Sequence, residues 1–190
     1  MLSKGVRRLL RAVFGFNEWH IATYAGRPYA KSVVDELNAL QQRDRVVEIG
    51  CGLGDILRRL RFEHKLGLDQ DTRVLNAASF LARISNPGSG NTLFQRAAFP
   101  DQQLVGKFDA IVLVNWIHHL APEELREGLN RLFKDNLNSR GVLVFDVVAN
   151  ESYRFNHDWQ YLTSELDCRT RLIGPFEYGR NIVFVQKGDS

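Results

Sequence analysis

Glu48 stands two residues before the first of three glycines spaced G-x-G-x-G: Gly50, Gly52 and Gly54, with Cys51 between the first two. Glycines at this spacing supply positive φ and let a ligand come against bare backbone. A carboxylate at their edge repels a pyrophosphate, but it suits a ligand that carries an ammonium or sulfonium group. A second acid, Asp69, follows downstream with Gln70 beside it. At the tip of a strand such an acid can accept hydrogen bonds from both hydroxyls of a ribose. The run Asn115-Trp116-Ile117-His118-His119 holds two imidazoles, the side chain best suited to take a proton from a nucleophile near neutral pH. His20 and Tyr24 lie in an aromatic-rich stretch that can cover a ligand and hydrogen-bond to it.

These groups need elements to position them. The apolar run Val46–Ile49 before the glycines and Ile56, Leu57 and Leu60 after them read as strand, tight turn and a short helix to about Arg61. A second strand ends at Asp69, and Val74, Leu75, Ala78 and Leu81 mark a helix that Asp71 can cap. Residues 86–91 form a loop rich in Asn, Gly and Pro, and Thr92–Gln95 a third strand. Phe108–Val114 is nearly continuous apolar sequence, suited to the centre of a parallel sheet. Pro28 and Pro122 each open a helical pattern. A turn is expected at Asn138–Gly141, a fifth strand at Val142–Val148, and a terminal hairpin from Arg169–Ile173 and Asn181–Gln186. Strand and helix alternating in this way imply a mostly parallel sheet with helices on both faces.

With 190 residues, 44% hydrophobic and 25% charged, the chain is expected to be one globular domain. No apolar run approaches the length of a membrane span. Cys51 and Cys168 lack the spacing of a zinc site or a disulfide framework, so no metal and a reducing, cytoplasmic location are expected. The net charge of +3 is scattered, which argues against a dedicated nucleic-acid binder. Residues 1–16 combine Lys4, Arg7, Arg8 and Arg11 with Leu2, Val6, Leu9, Leu10, Val13 and Phe14 at helical spacing. Such a helix can lie on a membrane surface. The reading adopted is a helix that packs on the domain with its basic face in solvent.

The order E-x-G-x-G-x-G, carried by Glu48, Gly50, Gly52 and Gly54, resembles motif I of the class I S-adenosylmethionine-dependent methyltransferases. Asp69 resembles the acid of their motif II, and Asn115–His119 their motif IV region. The resemblance covers roughly residues 28–187. It implies an α/β fold, a Rossmann-like doubly wound sheet of seven mostly parallel strands with a C-terminal antiparallel hairpin and helices on both faces. Residues 1–27 would then be an N-terminal helix and lid on a core formed by 28–187.

The resemblance also implies the ligands and their contacts. S-adenosylmethionine would be the cofactor and S-adenosylhomocysteine the product. Gly50, Cys51, Gly52 and Gly54 would hold the methionine part, with Glu48 orienting its ammonium, Asp69 the ribose, Gln70 the adenine side, and Asn115 the cleft. Many members carry an aspartate for the adenine amino group where this chain has Ala97, a departure that leaves adenine to backbone atoms or to a neighbour such as Phe99. His118 or His119 would act as base, with His20, Tyr24 and Trp116 toward the acceptor. That acceptor is expected to be a small-molecule hydroxyl, as in a sugar or natural product, with an amine as the close alternative. Two rivals stay open: a non-catalytic adenosyl-binding module, and an NAD-dependent oxidoreductase, against which Glu48 and the short glycine spacing argue.

Overall fold

A computed structural model describes residues 3–85 and 91–188. Seven strands form one sheet: β1 (Arg45–Ile49), β2 (His64–Asp69), β3 (Asn91–Arg96), β4 (Phe108–Leu113), β5 (Leu137–Val147), β6 (Cys168–Phe176) and β7 (Arg180–Lys187). Their spatial order is β3-β2-β1-β4-β5-β7-β6, with the first five strands parallel and β7 running antiparallel between β5 and β6. The order reverses between β1 and β4, and ligands of open α/β sheets bind outside the strand ends at such a point. The glycine turn leaves the C-terminal end of β1, and Asn115–His119 follows the end of β4. Both motifs therefore share one rim of the sheet.

Alternate side chains of the central strands feed two cores. Val47, Ile49, Ile111, Leu113 and Phe145 pack with Leu125 and Leu129 of α4 (Pro122–Arg131) and Leu162 of α5 (Trp159–Thr163). Val46, Ala110, Val112 and Val144 pack with Ala30, Val33, Val34 and Leu37 of α2 (Pro28–Asn38). The proline that opens α2 and α4 presets φ where the N–H would be unpaired anyway, and Glu123 and Glu124 face the positive end of α4. α1 (Lys4–Phe14) begins at Ser3, whose hydroxyl accepts the Val6 N–H, and ends at Gly15 with φ +74°. It packs through Leu10 on Val74, Ala77 and Leu81 of α3 (Thr72–Ser85).

Three expectations need correction. The helix after the glycine turn is a single 3-10 turn, Leu57–Arg59: the buried Glu48 carboxyl caps its first N–H at 3.0 Å, and Leu60, extended at ψ 140°, ends it by turning into the core beside α2. The turn at 138–141 is a bulge inside β5: Leu137 pairs Phe108 and Val142 pairs Ala110, and Arg140 at φ +62° absorbs the extra residues. The basic face of α1 is not all in solvent, since Arg7 is buried. The loop expected at 86–91 lies outside the described residues except for Asn91, which opens β3.

Candidate active site

Gly50 (φ +74°) and Gly52 (φ +51°) adopt left-handed conformations and are both closely covered. A Cβ on Gly50 would lie 2.2 Å from the indole nitrogen of Trp116, and one on Gly52 would lie 2.9 Å from Nδ1 of His20. Glycine is therefore required twice over, by backbone and by contact. Trp116 is fixed where it is because its indole N–H donates to the Ile49 carbonyl at 2.7 Å and its ring packs roughly perpendicular to that of Phe99. Phe94 covers Gly54 and Gly67 in the same way. Trp116, expected toward the acceptor, thus lies directly on the glycine turn. His20 lies there too.

Two carboxyl groups flank the turn. Glu48 is buried, and burial pushes its carboxyl up to about 8, although the Leu57 N–H and the charge of Arg27 pull the other way. Asp69 Oδ2 accepts the Gly52 N–H at 2.9 Å and Oδ1 the Asp71 N–H at 3.0 Å, which fixes the acid against the turn. Each of its oxygens retains acceptor capacity for a further donor. Asp71 accepts the Arg73 N–H and so caps the start of α3. Cys51 is buried, and burial raises its thiol far above the ordinary value, so it contributes shape rather than a thiolate. Gln70 is exposed, and Ala97 donates its N–H to the Asp69 carbonyl at 3.0 Å. Phe99 stands between Trp116 and Gly128, covering the latter.

At the end of β4, Asn115 is exposed, takes φ +76°, and donates its N–H to Asp146 Oδ1 at 2.8 Å. Asp146 and Arg180 form a fully buried ion pair, and His118 Nε2 lies 3.1 Å from the same carboxylate. His118 is 1% exposed. Burial and the Arg180 charge push its imidazole down to about 4, so it is neutral, with Nε2–H donating to Asp146. Its Nδ1 has no hydrogen-bond partner among the described residues. His119, one residue on, is exposed. Tyr153 closes this group: its hydroxyl accepts from Arg180 at 2.8 Å and its ring meets His118 edge-on.

Sequence reasoning did not find the cluster around Asp55. This buried acid accepts two hydrogen bonds from Arg7 at 2.7 and 2.8 Å, one from Arg27 at 2.5 Å and one from Arg58 at 3.1 Å. Arg59 lies 3.8 Å away and covers the ring of Tyr24. Burial alone would raise the Asp55 carboxyl, but the Arg7 hydrogen bonds and the surrounding guanidinium charges hold it below its ordinary value. Arg7 also donates to the carbonyls of His20 and Ala22, tying α1 and the segment that carries His20 and Tyr24 to the turn. No local pattern announces a pair 48 residues apart.

The donor set fits an adenosyl-sulfonium amino acid in kind. Two carboxyls and a bare backbone are partners of the kind its cationic groups and hydroxyls require, and a cluster of arginines beside the turn is of the kind its carboxylate requires. The turn Glu18–Ile21 that carries His20 has no buried residue, so the ring over Gly52 can be displaced without opening a core.

The strand order, with an antiparallel seventh strand between fifth and sixth and an acid-flanked glycine turn at the reversal, defines a class I methyltransferase. The model of the methyltransferase-domain family matches residues 47–143, just over half of the 190. The chain belongs to that family and is an S-adenosylmethionine-dependent enzyme. Similar solved structures include magnesium protoporphyrin IX methyltransferase from Synechocystis PCC 6803 with bound S-adenosylhomocysteine. It is 17% identical, covers 98% of this chain and 95% of its own, and has a TM-score of 0.70. An amino pentose methyltransferase from Micromonospora echinaspora with bound S-adenosylmethionine is 15% identical (95% and 96% covered, TM-score 0.67). The N-methyltransferase NodS from Bradyrhizobium japonicum WM9 is also 15% identical (95% and 97% covered, TM-score 0.70). At these identities the likeness is one of fold. No curated protein sequence matches the chain.

Proposed function

We propose that this enzyme methylates a hydroxyl or an amine of a small molecule, such as a sugar or natural product. The observation that carries the donor side is the bond from Gly52 N–H to Asp69, which makes turn and acid one rigid rim. Gly50, Cys51, Gly52 and Gly54 shape the methionine side of that rim, and Glu48 meets the ammonium once it has lost its proton. Asp69 takes the ribose hydroxyls, with Gln70, Ala97 and Asn115 beside the nucleoside. S-adenosylmethionine supplies the electrophilic methyl group and a neutral thioether leaving group. The task left to this chain is to align the acceptor, keep water out and take up a proton. The small-molecule acceptor is supported by the match, nearly end to end, to proteins whose names specify a porphyrin and an amino pentose.

Of the two histidines, His119 is the base this reading favours, because it is open to an acceptor. His118, buried on Asp146, positions the segment that presents it. His20 and Trp116, which cover the glycine turn, and Tyr24 on the same segment as His20 would line the way by which the acceptor reaches the methyl group. The test is methyl transfer from labelled S-adenosylmethionine to a panel of hydroxyl and amine acceptors. Transfer to a panel member, with turnover lowered about 10²-fold or more in His119→Ala, supports the assignment. Cofactor binding without transfer to any member of a broad panel contradicts the acceptor class. Unchanged turnover in His119→Ala removes the base.

A further inference from the structure

The face of α1 turned away from the domain leaves its apolar edge exposed. At about 100° per residue, the helix divides into three faces. Arg7, Leu10 and Phe14 point inward, onto Asp55 and α3. Val6, Leu9 and Val13 form one outer edge and are 42%, 66% and 70% exposed. Lys4, Arg8 and Arg11 form the other edge, with only Gly5 and Ala12 between. The helix contains no acid, and Glu18 lies 3.7 Å from Arg11 on its basic edge. Leaving a contiguous apolar edge in water gains nothing for an isolated domain.

We propose that α1 seats this enzyme on an anionic lipid surface, with Leu9, Val13 and Val6 entering the headgroup boundary and the cationic edge meeting lipid phosphates. The charge pattern selects this occupant. A second copy packed two-fold on the same face would bring Lys4, Arg8 and Arg11 toward their own equivalents with no acid in the helix to offset them. A purely polar anion would engage the cations but leave the apolar edge in water. A bilayer interface with anionic headgroups satisfies both edges at once. The inward face stays bolted to the catalytic domain through the Arg7–Asp55 hydrogen bonds, so docking needs no unfolding of the core.

The test is cosedimentation of the full chain with vesicles of phosphatidylcholine alone and of phosphatidylcholine mixed with phosphatidylglycerol, at low and high salt. The wild type should sediment with the mixed vesicles, much less with neutral ones, and less at high salt. Leu9→Glu/Val13→Glu and, separately, Lys4→Glu/Arg8→Glu should each lower the bound fraction at least about tenfold while S-adenosylmethionine binding and thermal unfolding stay as in wild type. Failure of the wild type to bind mixed vesicles overturns the proposal. So does binding that survives Leu9→Glu/Val13→Glu, because the apolar edge then takes no part. A concentration-dependent dimer in sedimentation velocity, dispersed by Leu9→Glu, assigns the face to self-association and also overturns it.

Discussion

Arg7 and Asp55 meet through two hydrogen bonds of 2.7 and 2.8 Å, with their side chains 2% and 5% exposed, although 48 residues separate them. This contact makes the first helix part of the wall of the glycine turn. Removing the acid should cost more than removing one cation, because Asp55 pairs with Arg7, Arg27, Arg58 and Arg59 at once. Asp55→Asn should destabilise by about 3–5 kcal/mol. Arg7→Gln should cost less, since three guanidiniums remain. Urea unfolding of both variants tests the ranking. The folded carboxyl is held below its unfolded value, so this stabilisation is present at neutral pH and is lost as pH falls through the acid range below about 4.

Glu48 should make cofactor affinity depend on pH. With its carboxyl raised to about 8, roughly nine-tenths of the free enzyme is protonated there at pH 7, a penalty of about tenfold for binding an ammonium. Titration calorimetry in buffers of different ionisation heat should report release of close to one proton at pH 7, with affinity rising from pH 6 to about 8, above which the ligand's own ammonium is lost. Glu48→Gln should bind weakly at every pH and release no proton. The raised value also means that wild-type stability declines as pH rises from the ordinary glutamate range through about 8, because the unfolded state ionises first. Glu48→Gln should remove that decline.

His118 should control acid stability. Its imidazole is pushed down to about 4, so its contribution is present above about pH 6.5 and is lost as pH falls toward 4, where the unfolded chain takes up the proton and the native one does not. Melting curves between pH 7 and 4 should be flatter for His118→Gln than for wild type, against an overall loss from the broken bond to Asp146.

Trp116 should report ligand entry. Its indole covers Gly50 and is held by the Ile49 carbonyl. In a Trp19→Phe/Trp159→Phe background, S-adenosylhomocysteine should change the emission of Trp116. Gly50→Ala should shift that emission without ligand and abolish binding, because the added carbon would lie 2.2 Å from the ring.

The sheet was legible because its signals are local: Val46–Ile49 and Phe108–Val114 read as buried strands without tertiary knowledge, and the glycines announced the bend between β1 and β2. The short helix expected after Gly54 shrinks to one 3-10 turn, since Leu60 leaves it in an extended conformation to pack in the core beside α2, a contact reached only through the fold. Arg7 read as solvated because a helical pattern counts charges and cannot see a buried acid elsewhere in the chain. The same holds for His118, placed correctly at the strand end. Its contact with Asp146 and the buried Arg180 is a product of β5 and β7 lying side by side.

The most direct measurement is a calorimetric titration of S-adenosylmethionine into the wild type and into Asp69→Ala, with NAD as the control ligand. One molecule of S-adenosylmethionine should bind per chain, NAD should not bind, and Asp69→Ala should weaken binding by at least about tenfold, the cost of leaving two ribose hydroxyls without their acceptor. Binding of NAD in its place, or S-adenosylmethionine binding unchanged by Asp69→Ala, would show that the acid-flanked turn is not where the methyl donor sits.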